Sequence, residues 1–329
     1  MSRVFLAEEV RLGRQVVIKL LPPEMGAAVN VERFEREIQL AARLQHPHIV
    51  PLLTAGAAGD LLYYVMPFIS GESLRLKLAR EGELPVIEAV RILREVVDAL
   101  AYAHRNGVVH RDIKPDNILL SEGHAVITDF GVAKAVSASS GGSSLTSLGV
   151  ALGTPAYMAP EQAVADPHVD HRADIYAVGA LAYEMLTGRP PFTAPTAQAL
   201  LAAQITQVPD NLAMHRPSVP PALNAVVMRC LEKRAADRWQ TAGDMIPQLD
   251  GVATPSGGTM PLPAAAISTG TEQAIRRAHP ARVATLFAIG SIAVLALVWG
   301  LVHRLGLPDW VFSSAAALLA IGLPIMLVT

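Results

Sequence analysis

Residues 110–117 read His-Arg-Asp-Ile-Lys-Pro-Asp-Asn, and the interpretation of the sequence works outward from this stretch. Asp129-Phe130-Gly131 begins twelve residues after Asn117, and Ala159-Pro160-Glu161 lies further on. Upstream, Lys19 ends the apolar run Val16-Val17-Ile18. Lysine, carboxylate and amide side chains are the types that bind phosphate groups and hard divalent cations. A single aspartate on a loop is most often a turn or cap residue, but the ordered set of blocks favours a phosphate-handling site.

The composition excludes two classes of protein. Hydrophobic residues make up 51% of the 329 and charged residues only 17%, with a mean hydropathy of +0.35, which excludes a disordered chain. The excess is local, since residues 283–329 carry only two formal charges, Arg304 and Asp309. This segment argues against a wholly soluble protein. A net charge of -2 gives no basic field for nucleic acid, so no nucleic-acid partner is expected.

The apolar pattern changes along the chain. Residues 4–7, 15–21 and 61–69 read as strands, and residues 30–44 have helical spacing. Helical patterns continue at 73–80 and 86–106, with short strands around 117–120 and 125–128, and dominate again from 170 to 249. The sequence therefore predicts a small β-rich lobe followed by a larger helical lobe.

The ordered blocks resemble the protein kinase catalytic domain, over residues 1 to about 250. Residues 153–162, Gly-Thr-Pro-Ala-Tyr-Met-Ala-Pro-Glu-Gln, resemble those of bacterial, Hanks-type serine/threonine kinases. The resemblance implies an α+β, two-lobed protein-kinase-like fold. Its small β-rich N-lobe would span about 1–69 and its larger helical C-lobe about 70–250.

The resemblance also implies ATP and Mg²⁺ as cofactors. Lys19 would bind the α- and β-phosphates and would be fixed by an ion pair with Glu37. Asn117 and Asp129 would be the metal ligands, because Mg²⁺ prefers oxygen. Val17 and Leu119 would enclose the adenine. Further cofactor-binding residues are Val4 after the glycine-rich loop, Met66 as gatekeeper and Phe68 in the hinge.

The remaining catalytic residues follow from the same comparison. Asp112 would accept the proton of the substrate hydroxyl, and Lys114 would neutralise charge on the transferred phosphoryl group. Lys114 together with Thr154 resembles the serine/threonine branch rather than the tyrosine branch. The implied substrates are therefore proteins that bear Ser or Thr.

Several residues are expected to support the site. Glu161 and Arg238 resemble a buried structural ion pair, and Asp174 would hold the backbone of the catalytic loop. Arg111 would bind a phosphate on the activation loop, for which Thr146 is the candidate phosphosite. Autophosphorylation there would allow a homodimer. A plain Ser/Gly linker is the alternative reading of that loop.

The C-terminal part predicts a membrane anchor. Residues 251–282 read as a Gly/Pro-rich linker, and 283–302 give twenty residues without a formal charge, enough to span a bilayer as a helix. Residues 311–329 predict a second transmembrane helix and hence a hairpin. Three arginines before the first span place that side in the cytoplasm: Arg276, Arg277 and Arg282. The lipid bilayer is thus an expected partner, and the expected location is the cell (inner) membrane, with a cytoplasmic catalytic domain.

Three other readings were weighed. His46 and His48 suggest a metal site, but no third ligand is evident. No Gly-x-Gly precedes Val4, so we expect the sequence to be truncated within the glycine-rich loop, and to continue past Thr329. Such a chain could be a pseudokinase or a membrane scaffold with impaired ATP binding. A transporter is disfavoured, because two short spans without intramembrane charge form no pathway.

Overall fold

The computed structural model describes residues 3–21, 34, 38–59, 61–130 and 155–253. The chain divides into two units, residues 1–257 and 258–329, and every described residue lies in the first. Some of the predicted features lie outside the described residues: Glu37, Thr146, Thr154 and the segments 283–302 and 311–329. Within the described part, which ends at Ala253, no helix is long and apolar enough to cross a membrane.

The first lobe is built on an antiparallel sheet. Its strands are β1 (Arg3–Glu9), β2 (Arg14–Leu20), β3 (Thr54–Ala58) and β4 (Leu61–Pro67), in the order β1-β2-β4-β3. The register sets Val17 opposite Met66 and Lys19 opposite Tyr64. Directly opposed residues point to the same face of a sheet, so this register places the lysine and the tyrosine side by side.

One face of this sheet is covered by a small apolar core. Phe34, Ile38, Leu62 and Tyr64 are each at most 2% exposed, and Leu21 is also buried. Residues 38–41 are helical, which agrees with the helical spacing of 30–44 over the part that is described. Tyr64 is therefore locked into the core of the lobe by its ring.

The second lobe begins with a three-stranded sheet and continues in helices. The strands are β5 (Glu72–Ser73), β6 (Ile118–Ser121) and β7 (His124–Ile127), in the order β5-β6-β7. The helices with printed bounds are α1 (Leu74–Glu81), α2 (Val86–Arg105), α3 (Pro160–Ala163), α4 (Arg172–Thr187), α5 (Ala197–Thr206), α6 (Leu212–His215), α7 (Pro221–Cys230) and α8 (Ile246–Ala253). The predicted order of a β-rich lobe and a helical lobe is confirmed.

Glycine 71 positions the short strand at the start of this lobe. Its φ is +141°, and an added Cβ would lie 2.0 Å from the carbonyl oxygen of Leu120. No side chain fits there, so the chain can approach β6 closely only because this residue is glycine. Helix α1 follows at once, and its first turn is capped by Ser73, whose Oγ accepts from the N–H of Leu76 at 3.3 Å.

Helix α4 is the centre of the helical lobe. Every residue from Ala173 to Leu186 is buried, and α4 packs against α2 and α7. A helix that is covered on all sides fixes the residues at its ends against both neighbours. It thereby provides the rigid support for the catalytic loop, as its first turn shows below.

We expect Gly179→Ala to destabilise the protein by about 1–3 kcal/mol through overpacking. An added Cβ at Gly179 would lie 2.6 Å from Cβ of Cys230 on α7. Chemical denaturation followed by circular dichroism measures the change. Gly251→Ala in α8, where an added Cβ meets nothing within 4 Å, is the matched control. Equal stabilities of the two variants would contradict the close packing of α4 on α7.

Candidate active site

The loop 110–117 folds back on itself around Asp112. A 3₁₀ turn over Pro115–Asn117 returns the Asn117 side chain, whose Nδ2 donates to the Asp112 carbonyl at 2.7 Å and to its Oδ2 at 3.0 Å. Lys114 Nζ donates to the same Oδ2 at 2.7 Å. The three predicted catalytic residues of this loop are thus brought together, with Asp112 at the centre.

A buried carboxylate supports the loop from below. Asp174, in the first turn of α4, is fully buried and accepts from the N–H groups of His110 at 2.8 Å and Arg111 at 2.7 Å. His104 Nε2 lies 2.8 Å from its Oδ2. Burial alone would raise the pKa of Asp174, but the hydrogen bond and charge of His104, followed by that of His110, hold this pKa below its ordinary value.

These bonds hold a conformation that the loop would otherwise avoid. Arg111 has a φ of +69°, a region that costs a non-glycine residue of the order of 1 kcal/mol. Besides the two bonds to Asp174, Gln162 Nε2 donates to the Arg111 carbonyl at 2.9 Å. The loop therefore keeps its shape because α3 and α4 fix its backbone from both sides.

Asp129 lies across from this loop and contacts the first lobe. Its Oδ2 is 2.5 Å from Lys19 Nζ, although the two residues are 110 positions apart. The Tyr64 hydroxyl donates to its Oδ1 at 2.6 Å. Burial would raise the pKa of Asp129, but the charge and hydrogen bond of Lys19, followed by the bond from Tyr64, hold this pKa below its ordinary value. The carboxylate is accordingly ionised and available as an anionic ligand.

The two aspartates share one framework. His110 Nε2 lies 2.9 Å from the Thr128 carbonyl, and its ring packs edge-on against Phe130 with 4.6 Å between ring centroids. The N–H of Thr128 donates to the Asn117 carbonyl at 3.0 Å. The negative charge of Asp112 also contributes to the raised pKa of Tyr64, after burial and Asp129. Lys19, Asp112, Asn117 and Asp129 thus border one cleft between the lobes.

The predicted adenine-binding residues come from both lobes. Val17 and Met66 are cross-strand neighbours on β2 and β4, and Thr128 Oγ1 contacts the sulfur of Met66 at 3.1 Å. Leu119 lies on β6, and Phe68 follows β4 with 42% of its surface exposed. Val4 on β1 pairs with Lys19 in register and is 59% exposed. The structure thus places all five predicted positions on strands or at a strand end.

The structural pair lies deeper in the helical lobe. Arg238 is fully buried, and its Nη1 and Nη2 donate to the two carboxylate oxygens of Glu161 at 2.6 and 2.8 Å. The same guanidinium donates to the carbonyls of Arg172, Glu232 and Lys233. A buried charge is stable only when its donors are satisfied in this way.

Comparisons with known proteins agree with this geometry. The model of the family described as "Protein kinase domain" matches residues 1–247. The serine/threonine-protein kinase PknD of Mycobacterium tuberculosis is 41% identical over 248 residues, which is 74% of this chain and 37% of that protein. PknB of Mycobacterium leprae is 38% identical over 251 residues, 74% of this chain and 40% of that protein.

The chain spans about two fifths of the length of these relatives. The family match covers most of the chain and contains the whole cleft, from Lys19 on β2 to Asp129. On these grounds the chain belongs to the protein kinase domain family.

Proposed function

We propose that the protein is a serine/threonine protein kinase, which transfers the γ-phosphoryl group of ATP to Ser and Thr hydroxyls of proteins. The observation that carries this proposal is the convergence of Lys19 and Asp129 with the Asp112 loop in one cleft. Two of its relatives are named serine/threonine-protein kinases, which supports the same substrate class.

The chemistry of the donor set fits a magnesium-bound nucleotide. Asn117 uses its amide nitrogen to bind Asp112, which leaves the amide oxygen as the ligand atom, and Asp129 supplies carboxylate oxygens. Both are hard donors of the kind that Mg²⁺ prefers. When bound, Mg²⁺ supplies positive charge that offsets the charge of the phosphates. Lys19 would add a second positive charge to the phosphates from the side of the first lobe.

Asp112 is set up to accept a proton. Lys114 and Asn117 both bind its Oδ2, and among the described residues no partner binds its Oδ1. The side chain is 37% exposed, so a substrate hydroxyl can reach Oδ1. The carboxylate would orient that hydroxyl and take its proton as the oxygen attacks phosphorus. Lys114, 2.7 Å from Oδ2, would stabilise the negative charge next to it.

The test is transfer of labelled γ-phosphate to a generic protein by the full chain. We expect label on serine and threonine, and its loss when a chelator removes Mg²⁺. Phosphoamino-acid analysis reads out the acceptor. Nucleotide binding without any transfer would replace the proposal by the alternative, a pseudokinase or membrane scaffold.

Regulation by a phosphate on the activation loop is part of the proposal. Arg111 is set for such a role, because its Nε is buried without a hydrogen-bond partner and its Nη2 contacts only the Val169 carbonyl, at 3.2 Å. No carboxylate among the described residues pairs with it. Thr146, the candidate phosphosite, lies outside the described residues. Phosphopeptide mapping of active protein that found residues 131–154 unmodified would contradict this part.

The membrane anchor also remains a proposal, which rests on the apolar segments 283–302 and 311–329. The three arginines before the first span favour a catalytic domain on the cytoplasmic face, where ATP is present. Protease treatment of inside-out vesicles is expected to digest the catalytic domain. Protection of that domain would contradict the orientation.

A further inference from the structure

The carboxylate of Asp129 is held at both of its oxygens by the first lobe. Lys19 on β2 binds Oδ2 at 2.5 Å and Tyr64 on β4 binds Oδ1 at 2.6 Å. The two donors are directly opposed in the β2–β4 register, and Lys19 Nζ lies 6.0 Å from the centre of the Tyr64 ring. One cation and one neutral hydroxyl thus share a single carboxylate.

The two donors differ in how firmly they are placed. Lys19 has a long flexible stem and a side chain that is 21% exposed. Tyr64 is 1% exposed, and its ring packs in the core cluster with Phe34, Ile38 and Leu62. A tyrosine has only two side-chain torsions to fix, and here the core fixes both.

This difference matters once Lys19 turns towards the phosphates of a nucleotide. Oδ2 of Asp129 then loses its partner, whereas Oδ1 keeps the Tyr64 hydroxyl, because the buried ring cannot follow the lysine. Asp129 has a φ of +67°, so its side chain leaves the backbone in a direction rare for a non-glycine residue. A donor fixed outside the 128–130 segment is the contact that sets the orientation of this carboxylate.

We propose that Tyr64 is a positioning residue, whose hydroxyl holds Oδ1 of Asp129 so that the carboxylate presents Oδ2 to the divalent cation. This inference rests on the proposed function, since it concerns the cation that accompanies ATP. Hydrogen bonds to ligating carboxylates orient them and tune metal affinity, and their loss typically costs about 10–100-fold. Tyr64 itself touches neither the nucleotide nor the reacting atoms.

The test is the Tyr64→Phe variant of the full chain, which keeps the ring and removes the hydroxyl. Binding of Mn²⁺ in the presence of a non-hydrolysable ATP analogue is measured by electron paramagnetic resonance of the free ion. We expect affinity to fall by about 10–100-fold. The Mg²⁺ concentration for half-maximal transfer should rise in parallel, while KM for the protein substrate should stay unchanged.

Tyr63→Phe is the matched control. Tyr63 is the preceding residue on β4, so its side chain points to the other face of the sheet, where its hydroxyl lies near Gly56. Its loss should leave Mn²⁺ affinity unchanged. If Tyr64→Phe does not fold by circular dichroism, Tyr64→Leu repeats the measurement with an aliphatic side chain in the same core position.

The outcomes separate the two levels of the argument. Mn²⁺ affinity that is unchanged in the folded Tyr64 variant would overturn the inference and leave a purely structural tyrosine. Tighter binding would also overturn it, because Tyr64 would then compete with the cation. Wild-type chain that binds no Mn²⁺ with the nucleotide analogue would overturn the proposed function together with this inference.

Discussion

Asp112→Asn is expected to lower phosphoryl transfer by about 10²–10⁴-fold, the usual contribution of a positioned general base. Asparagine keeps the shape of the side chain but cannot accept the substrate proton. The loop should persist, because it is held by Asp174 through backbone bonds to His110 and Arg111. The measurement is the initial rate of labelled phosphate incorporation at saturating ATP, with circular dichroism to verify the fold.

Asp116→Asn serves as the control for this loss. Asp116 lies in the same loop but is half exposed, and its recorded ion pair is a long one with Arg75, at 3.5 Å. Removing that charge should change the rate less than threefold, because exposed pairs contribute little energy. A rate for Asp112→Asn that matched the Asp116 variant would remove Asp112 from the chemistry.

Arg238→Met is expected to cost about 3–5 kcal/mol of unfolding free energy, the largest stability loss that we anticipate. The substitution leaves the Glu161 carboxylate without its two guanidinium donors and leaves three backbone carbonyls unpaired. Because Glu161 follows the segment that bears Pro155–Tyr157, the same change should also loosen the region beside the catalytic loop. Chemical denaturation followed by circular dichroism gives the free energy.

Arg234→Met is the matched substitution at the surface. The Arg234 side chain is 82% exposed and lies 3.8 Å from Asp237. Such a pair is worth less than about 1 kcal/mol, so this variant should unfold close to the wild type. If the two methionine variants unfolded at the same denaturant concentration, the buried pair would not have the structural role that its geometry indicates.

Periodic apolar patterns predicted the longer elements within a few residues. The expected helix at 86–106 is α2, Val86–Arg105, and the strand at 15–21 is β2, Arg14–Leu20. Strand β3, Thr54–Ala58, was not predicted, because Thr-Ala-Gly-Ala-Ala has neither alternation nor β-branched bulk. This segment is a strand because β4 pairs with it over five residues, which a local pattern does not reveal.

The site was predictable in its residue types and less so in its contacts. The motif resemblance identified Lys19 and Asp129 but assigned Glu37 as the lysine's partner, and Glu37 lies outside the described residues. The direct Lys19–Asp129 pair depends on the closing of the two lobes around one cleft. Tyr64 was missed because a tyrosine in an apolar strand reads as core, and only the β2–β4 register shows that it stands beside Lys19.

His104 was missed for a related reason. At the end of a long helix, a histidine suits the helix dipole and gives no signal of a distant partner. Its contact with Asp174 spans 70 positions and follows only from the packing of α2 against α4. Interactions of this kind are set by tertiary packing, whereas the motifs specify the groups that the packing brings together.

The most direct test of the account is to locate the metal and nucleotide. Crystals of the full chain grown with Mn²⁺ and a non-hydrolysable ATP analogue would give an anomalous signal for the metal. The account predicts a peak within coordination distance of Asp129 and Asn117, with Lys19 at the phosphates and Asp112 beside the γ-phosphoryl group. A nucleotide and metal bound away from these four residues would contradict it.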